Sequence, residues 1–179
     1  MSNNLEDKLE TILKHVNDWL KFAEQKNATL VALNAGAVWG VSKLLTGSLQ
    51  PYGALYYLSV VGYISLFASI FVCLTTFFPV LSNVWFKPGE KKSTDNAIFF
   101  GDIAKYSAAE YLILLKSKVN IESSHPGLEL DYANQITNNA SIALKKYKSY
   151  NIAAWLFFMS VMLFLMLFLL VFLLKLLKT

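Results

Sequence analysis

Residues able to do acid, base, nucleophilic or metal chemistry are few in this chain, and they are not arranged for it. His15 and His125 lie far apart, and neither belongs to a paired Cys/His pattern at metal-ligand spacing. Cys73 is the single cysteine; inside an apolar run its thiol behaves as a small hydrophobe, and it has no partner for an internal disulfide. Asp102, Glu110, Glu129 and Asp131 are the carboxylates from which an acid–base pair could be drawn, yet helix capping and solvated surface account for each equally well. No phosphate-cradling glycine loop occurs. The chain is therefore expected to be no enzyme, with no metal and no cofactor. Binding chemistry is narrowed too. All sixteen basic residues are lysine, so arginine's bidentate grip is missing, and any anion site must use lysine, backbone amides or helix ends.

The elements that would position such a site are set by where the apolar residues fall. The chain is 55% hydrophobic and 16% charged, against about 25% charged in soluble domains, and its apolar residues come in blocks. Residues 1–27 hold an amphipathic helix over 4–26, with Leu5, Leu9, Ile12, Leu13, Val16, Leu20 and Ala23 at spacings of three and four. It reads either as a helix packing on other cytosolic parts or as one lying on the membrane surface; its mixed acids and lysines favour packing. Residues 28–82 form a two-span hairpin. The first span, Ala28 to about Leu45, is compromised by Asn34 and Lys43, and Ala35, Gly36, Ala37 and Gly40 are small. Asn34, Gly36 and Gly40 mark it as a surface for packing against protein, in a homo-oligomer. The uncharged connection TGSLQPYG leads into a second span from about Ala54 to Leu81. Tyr52, Tyr56 and Tyr57 precede it and Trp85 and Phe86 follow it, where interfacial aromatic belts are expected.

Residues 83–150 change character, with nine lysines and seven acids between 87 and 150 and no run long enough to span. A polar loop, a Gly101–Asp102 turn, a short helix opened by the Ser107-to-Glu110 capping-box spacing and a second turn at Pro126 are expected there. From about Leu128 a partial stripe of Tyr132, Ile136, Ala140, Ala143, Leu144 and Tyr147 runs without proline or glycine into the apolar stretch Ile152–Leu174. Residues 151–179 are thus a third span and tail, continuous with a helix that starts in water and exceeds about 60 Å. The fold class is all-α integral membrane: a hairpin, a small helical cytosolic segment, and a long C-terminal helix entering the bilayer.

Orientation follows from lysine. The parts before the first span and after the second are lysine-rich and the hairpin loop has none, so the N-terminus and residues 87–150 are expected in the cytoplasm and the loop around Ser48–Tyr52 outside. The N-terminus MSNNLEDKLETILKH does not resemble a signal peptide, so uncleaved spans are expected. The net charge of +4 is spread among acids, which does not suit nucleic acid. After Asp131 only lysines follow, namely Lys145, Lys146, Lys148, Lys175 and Lys178, as suits contact with anionic membrane lipids. The second and third spans hold no charged side chain, so a pore would need several copies or an opening of the bundle.

The order of parts, the stretch NAIFFGDIAKYSAAEYLILL and the later LDYANQITNNASIALKKYKSYNIAAWLFF running into the last span resemble the membrane effectors of bacterial Pycsar antiphage systems. The similarity runs from Lys26 to the last span. It implies a multi-pass protein of the bacterial inner membrane, activated by a cyclic pyrimidine mononucleotide (cUMP or cCMP) from a partner cyclase, which then compromises that membrane. No site residues come with it. A cyclic mononucleotide needs a cation or amides for its phosphodiester and an aromatic face for its base. That chemistry selects Asp102, Lys105 and Tyr106 beside the turn, and Lys145, Lys146 and Tyr147 on the long helix. Headgroup anchoring by the second set, and a solvated turn with a packed ring for the first, are the plainer readings. A constitutive membrane scaffold with a cytosolic docking segment is the alternative function; a holin-like lysis protein fits the spans but leaves the cytosolic residues without purpose.

Overall fold

The computed structural model describes residues 4–47, 51, 53–78, 89–121 and 125–177. Among them every regular element is a helix: α1 (Leu5–Thr46), α2 (Ala54–Thr75), α3 (Phe100–Ile103), α4 (Ala108–Val119) and α5 (Pro126–Leu176). The expected connection at Ser48–Tyr52, the aromatics Trp85 and Phe86, and Lys178 lie outside the described residues, Pro51 excepted.

The chain divides into two compact units. The first comprises Met1–Glu24 and Pro79–Lys148. Its α1 stripe is buried as its spacing requires: Leu5, Leu9, Ile12 and Val16 join Phe100, Ile103, Tyr111, Leu112, Leu115 and Ile136 in one apolar core. On α5 the buried face is mostly alanine, at Ala133, Ala140 and Ala143. Small side chains there let neighbouring helices pack close to its backbone. Tyr111 is fully buried, and its hydroxyl donates to the Ala97 carbonyl at 2.9 Å, the partner a buried phenol requires. Burial pushes that phenol well above its usual pKa. Glu129 is fully buried and pairs with Lys116 at 3.0 Å. The capping box at α4 is complete: Ser107 Oγ accepts from the Glu110 amide, and the Glu110 carboxylate accepts from the Ser107 amide. That helix ends on Asn120 in the left-handed region, a conformation asparagine tolerates.

The second unit comprises Gln25–Phe78 and Ser149–Thr179. Three helices, α1, α2 and α5, are long and apolar enough to cross a membrane. Polar groups in the middle of the spans turn inward. Asn34 Nδ2 donates to Ser69 Oγ at 3.0 Å and Ser69 Oγ to the Ala153 carbonyl at 2.8 Å, tying α1 to α2 and α2 to α5. Ser65 donates to the Leu156 carbonyl and Ser160 to the Gly62 carbonyl, each at 2.8 Å. Large apolar side chains turn outward, with Phe71 69% and Trp155 67% exposed. In water that arrangement would be costly; in lipid it is the stable one.

Several expected boundaries shift. The amphipathic helix and the first span are one element, because nothing between Gln25 and Thr29 breaks a helix. α2 stops at Thr75 instead of running to Leu81. There Thr75 and Thr76 turn their hydroxyls back on the Val72 and Cys73 carbonyls, and the Thr76 amide bonds the Cys73 carbonyl in a tighter turn. The Gly101–Asp102 turn is the single helical turn α3. Gly36 is exposed and Gly40 half-buried, and a Cβ at either meets nothing within 4 Å. Among the described residues of the spans, the glycine that packing demands is Gly62, where a Cβ would lie 2.7 Å from the Phe164 ring.

Candidate functional site

The first unit gathers charge around Asp95, a residue that leaves no periodic signal in the polar loop where it lies. Asp95 is 3% exposed. Its Oδ1 accepts from Lys105 Nζ at 2.7 Å, and its Oδ2 accepts from the Lys92 amide and the Tyr106 hydroxyl, each at 2.9 Å. Lys118 Nζ donates to its carbonyl. Lys105 reaches Asp102 as well, at 2.6 Å, because the turn after α3 brings residues three apart onto one side. Asp102 Oδ2 caps the Asn96 amide at 3.0 Å. The Lys105 ammonium, and then the Lys92 amide, hold the Asp95 carboxyl down at about 2. Hydrogen bonds from Asp102 and Asp95 push the Lys105 ammonium up. Burial, then the bond to Asp95, pushes the Tyr106 phenol up.

Asp102, Lys105 and Tyr106 are thus brought together, with Asp95 and Lys118 added. Lys105 lies between two carboxylates, and the Lys118 ammonium beside Asp95 brings the cluster to neutrality. An incoming anion must therefore compete with a carboxylate for Lys105.

The second set stands differently. Lys146 pairs with Glu24 at 2.7 Å, and burial lowers the Lys145 pKa. Tyr147 stacks on Phe100 with ring centres 5.0 Å apart and meets Trp19 edge-on at 6.2 Å; Trp19 and Phe100 are 5.6 Å apart. These rings form an aromatic cluster with Trp19 42% exposed. α3 connects the two sets, since Phe100 belongs to the aromatic cluster and Asp102 holds Lys105. Sequence reading missed Asp95 and Trp19. The second had a signal, because Trp19 follows Val16 by one helical step and extends its stripe.

In the second unit Asn34 is fully buried, and its amide donates to the Leu30 carbonyl at 2.8 Å as well as to Ser69. Leu30 offers only an acceptor and the Ser69 proton is given to Ala153, so the amide orientation is determined and Oδ1 is left without a partner among the described residues.

An all-helical chain whose spans carry their central polar groups inward and their apolar groups outward is a multi-span membrane protein. The family model for the Pycsar effector protein domain, PycTM, matches residues 8–174, and the chain belongs to that family. Searches of curated proteins and of solved structures found no match.

Proposed function

We propose that this protein is the membrane effector of an antiphage system, gated by a cyclic pyrimidine mononucleotide, cUMP or cCMP, that a cognate cyclase makes, and that gating impairs the inner membrane. Family membership carries this reading. Residues 83–150 act as the sensor and the spans as the output, with the N-terminus and sensor in the cytoplasm. The site is bordered by Asp102, Lys105 and Tyr106, with Lys145, Lys146 and Tyr147 next to the base. The phosphodiester takes Lys105 from its carboxylates through a charge-assisted hydrogen bond. The flat base stacks on the rings around Tyr147, as nucleobases do on aromatic faces.

Thermal unfolding of the detergent-solubilised chain with cUMP, cCMP, cAMP and cGMP tests it. Saturation at a hundred times Kd adds about 2.7 kcal/mol to the stability of the native state, so one pyrimidine cyclic nucleotide raises Tm and the purine ones do not. No shift with any of them removes the gating reading. Lys105→Ala weakens binding several-fold with the unliganded protein still folded; unchanged affinity removes Lys105 from the site and leaves it to the Lys145–Tyr147 stretch alone or to a subunit interface.

A further inference from the structure

At the hairpin end of the second unit a cavity of about 420 Å³ is lined by five residues that bear hydroxyls, Ser42, Thr46, Tyr56, Ser59 and Tyr63, together with the apolar Leu45, Pro51 and Val60. Its volume falls within the ~300–1,000 Å³ usual for small-molecule sites. The protons on four of those hydroxyls can be assigned. Ser42 Oγ donates to the Val38 carbonyl at 2.7 Å, so its 2.8 Å contact with the Tyr63 hydroxyl runs from tyrosine to serine, because a hydroxyl has one proton. Ser59 donates to the Tyr56 carbonyl at 2.7 Å and Thr46 to the Ser42 carbonyl at 2.9 Å. With their protons committed, the Ser42, Ser59 and Tyr63 oxygens present lone pairs. Such a wall suits a guest rich in N–H donors and repels an anion. The Tyr56 and Tyr63 rings add faces that attract a cation.

Lys43 follows Ser42 of the cavity wall along α1. It is the sole charged side chain from residue 28 to residue 78, is exposed, and makes no ion pair among the described residues. A lysine in that position suits the phosphate of a headgroup. From the cavity an apolar stripe of Val60, Ile64, Phe67 and Phe71 follows the outer face of α2 at helical spacing, with Ile64 63% and Phe67 57% exposed, where acyl chains would lie.

We propose that this cavity is a lipid site for an ethanolamine-type zwitterionic phospholipid, its primary ammonium among the hydroxyls and its phosphate on Lys43. A choline headgroup has no N–H to give to those oxygens, and a glycerol headgroup has no cation. The site uses no part of the nucleotide reading and stands without it.

The test is to strip lipid from the purified full chain in detergent and titrate it with short-chain phosphatidylethanolamine, phosphatidylcholine and phosphatidylglycerol, following bound lipid by native mass spectrometry and Tm by thermal unfolding. One phosphatidylethanolamine per chain should bind at least several-fold more tightly than either other lipid. Lys43→Gln and Tyr63→Phe should each weaken it several-fold; should Tyr63→Phe lose helix content, Ser59→Ala serves in its place. Equal affinity for the three lipids, or a preference unchanged in these variants, overturns the proposal. Soluble phosphoethanolamine matching the lipid at equal concentration overturns the assignment to a bilayer component.

Discussion

Lys105 sits 2.7 Å from Asp95 and 2.6 Å from Asp102, and this pairing makes the first unit sensitive to acid. The Asp95 and Glu110 carboxyls are both held at about 2, below ordinary values of 3.8 and 4.5, Glu110 chiefly by its hydrogen bond from Lys91 and then by its cap on Ser107. A depressed carboxyl pKa means that folding favours the ion, so its stabilisation is complete above the ordinary value and is lost as pH falls toward the folded one. Thermal unfolding from about pH 5 down to about pH 2 should therefore show Tm falling across that window. Asp95→Asn should lower Tm at neutral pH and flatten the fall. A decline as steep in Asp95→Asn as in the wild type would assign the acid sensitivity to other groups. Gly62 is the corresponding point in the spans. A Cβ 2.7 Å from the Phe164 ring makes Gly62→Ala destabilising by about 1–3 kcal/mol, and Phe164→Leu in the same chain should recover part of it, read by thermal unfolding in detergent.

Each span has one face that answers to the chain and one that does not. α1 turns Asn34 inward to Ser69 while Gly36, two residues on and about 200° around the helix, is exposed. Small residues four apart on an exposed apolar helix are a dimerisation surface in membranes. Gly36→Leu and Gly40→Leu meet open space within the chain, so both should leave the helix content and Tm of the single chain near the wild-type values while lowering its assembly. Mass measurement in mild detergent checks this. A wild type that is monomeric there removes the oligomer reading, and a large loss of Tm in the variants would show that these glycines pack within the chain.

At the scale of the whole molecule, lysine placement predicts that the end of α1 faces outside and the segment around Ser93 faces the cytoplasm. On a Cys73→Ala background, an impermeant thiol reagent added to intact cells should label Thr46→Cys and spare Ser93→Cys, both being exposed positions; the reverse pattern would overturn the orientation and with it the sensor assignment. The sequence by itself determined the all-helical membrane class, the apolar spans, the unbroken run from Leu128 into the last span and the Ser107–Glu110 cap. Each of these is a local property, carried by composition, by a 3.6-residue period or by a motif four residues long. Tertiary structure decided what joins distant parts: Asp95 as the partner of Lys105, the Trp19–Phe100–Tyr147 rings, and the Ser160 bond to Gly62 across 98 residues. A hydroxyl or a glycine in an apolar run looks the same on any face of a helix. Which face it occupies is decided only when neighbouring helices supply the carbonyl or the ring that it meets, because in the bilayer those inward groups have no water to turn to.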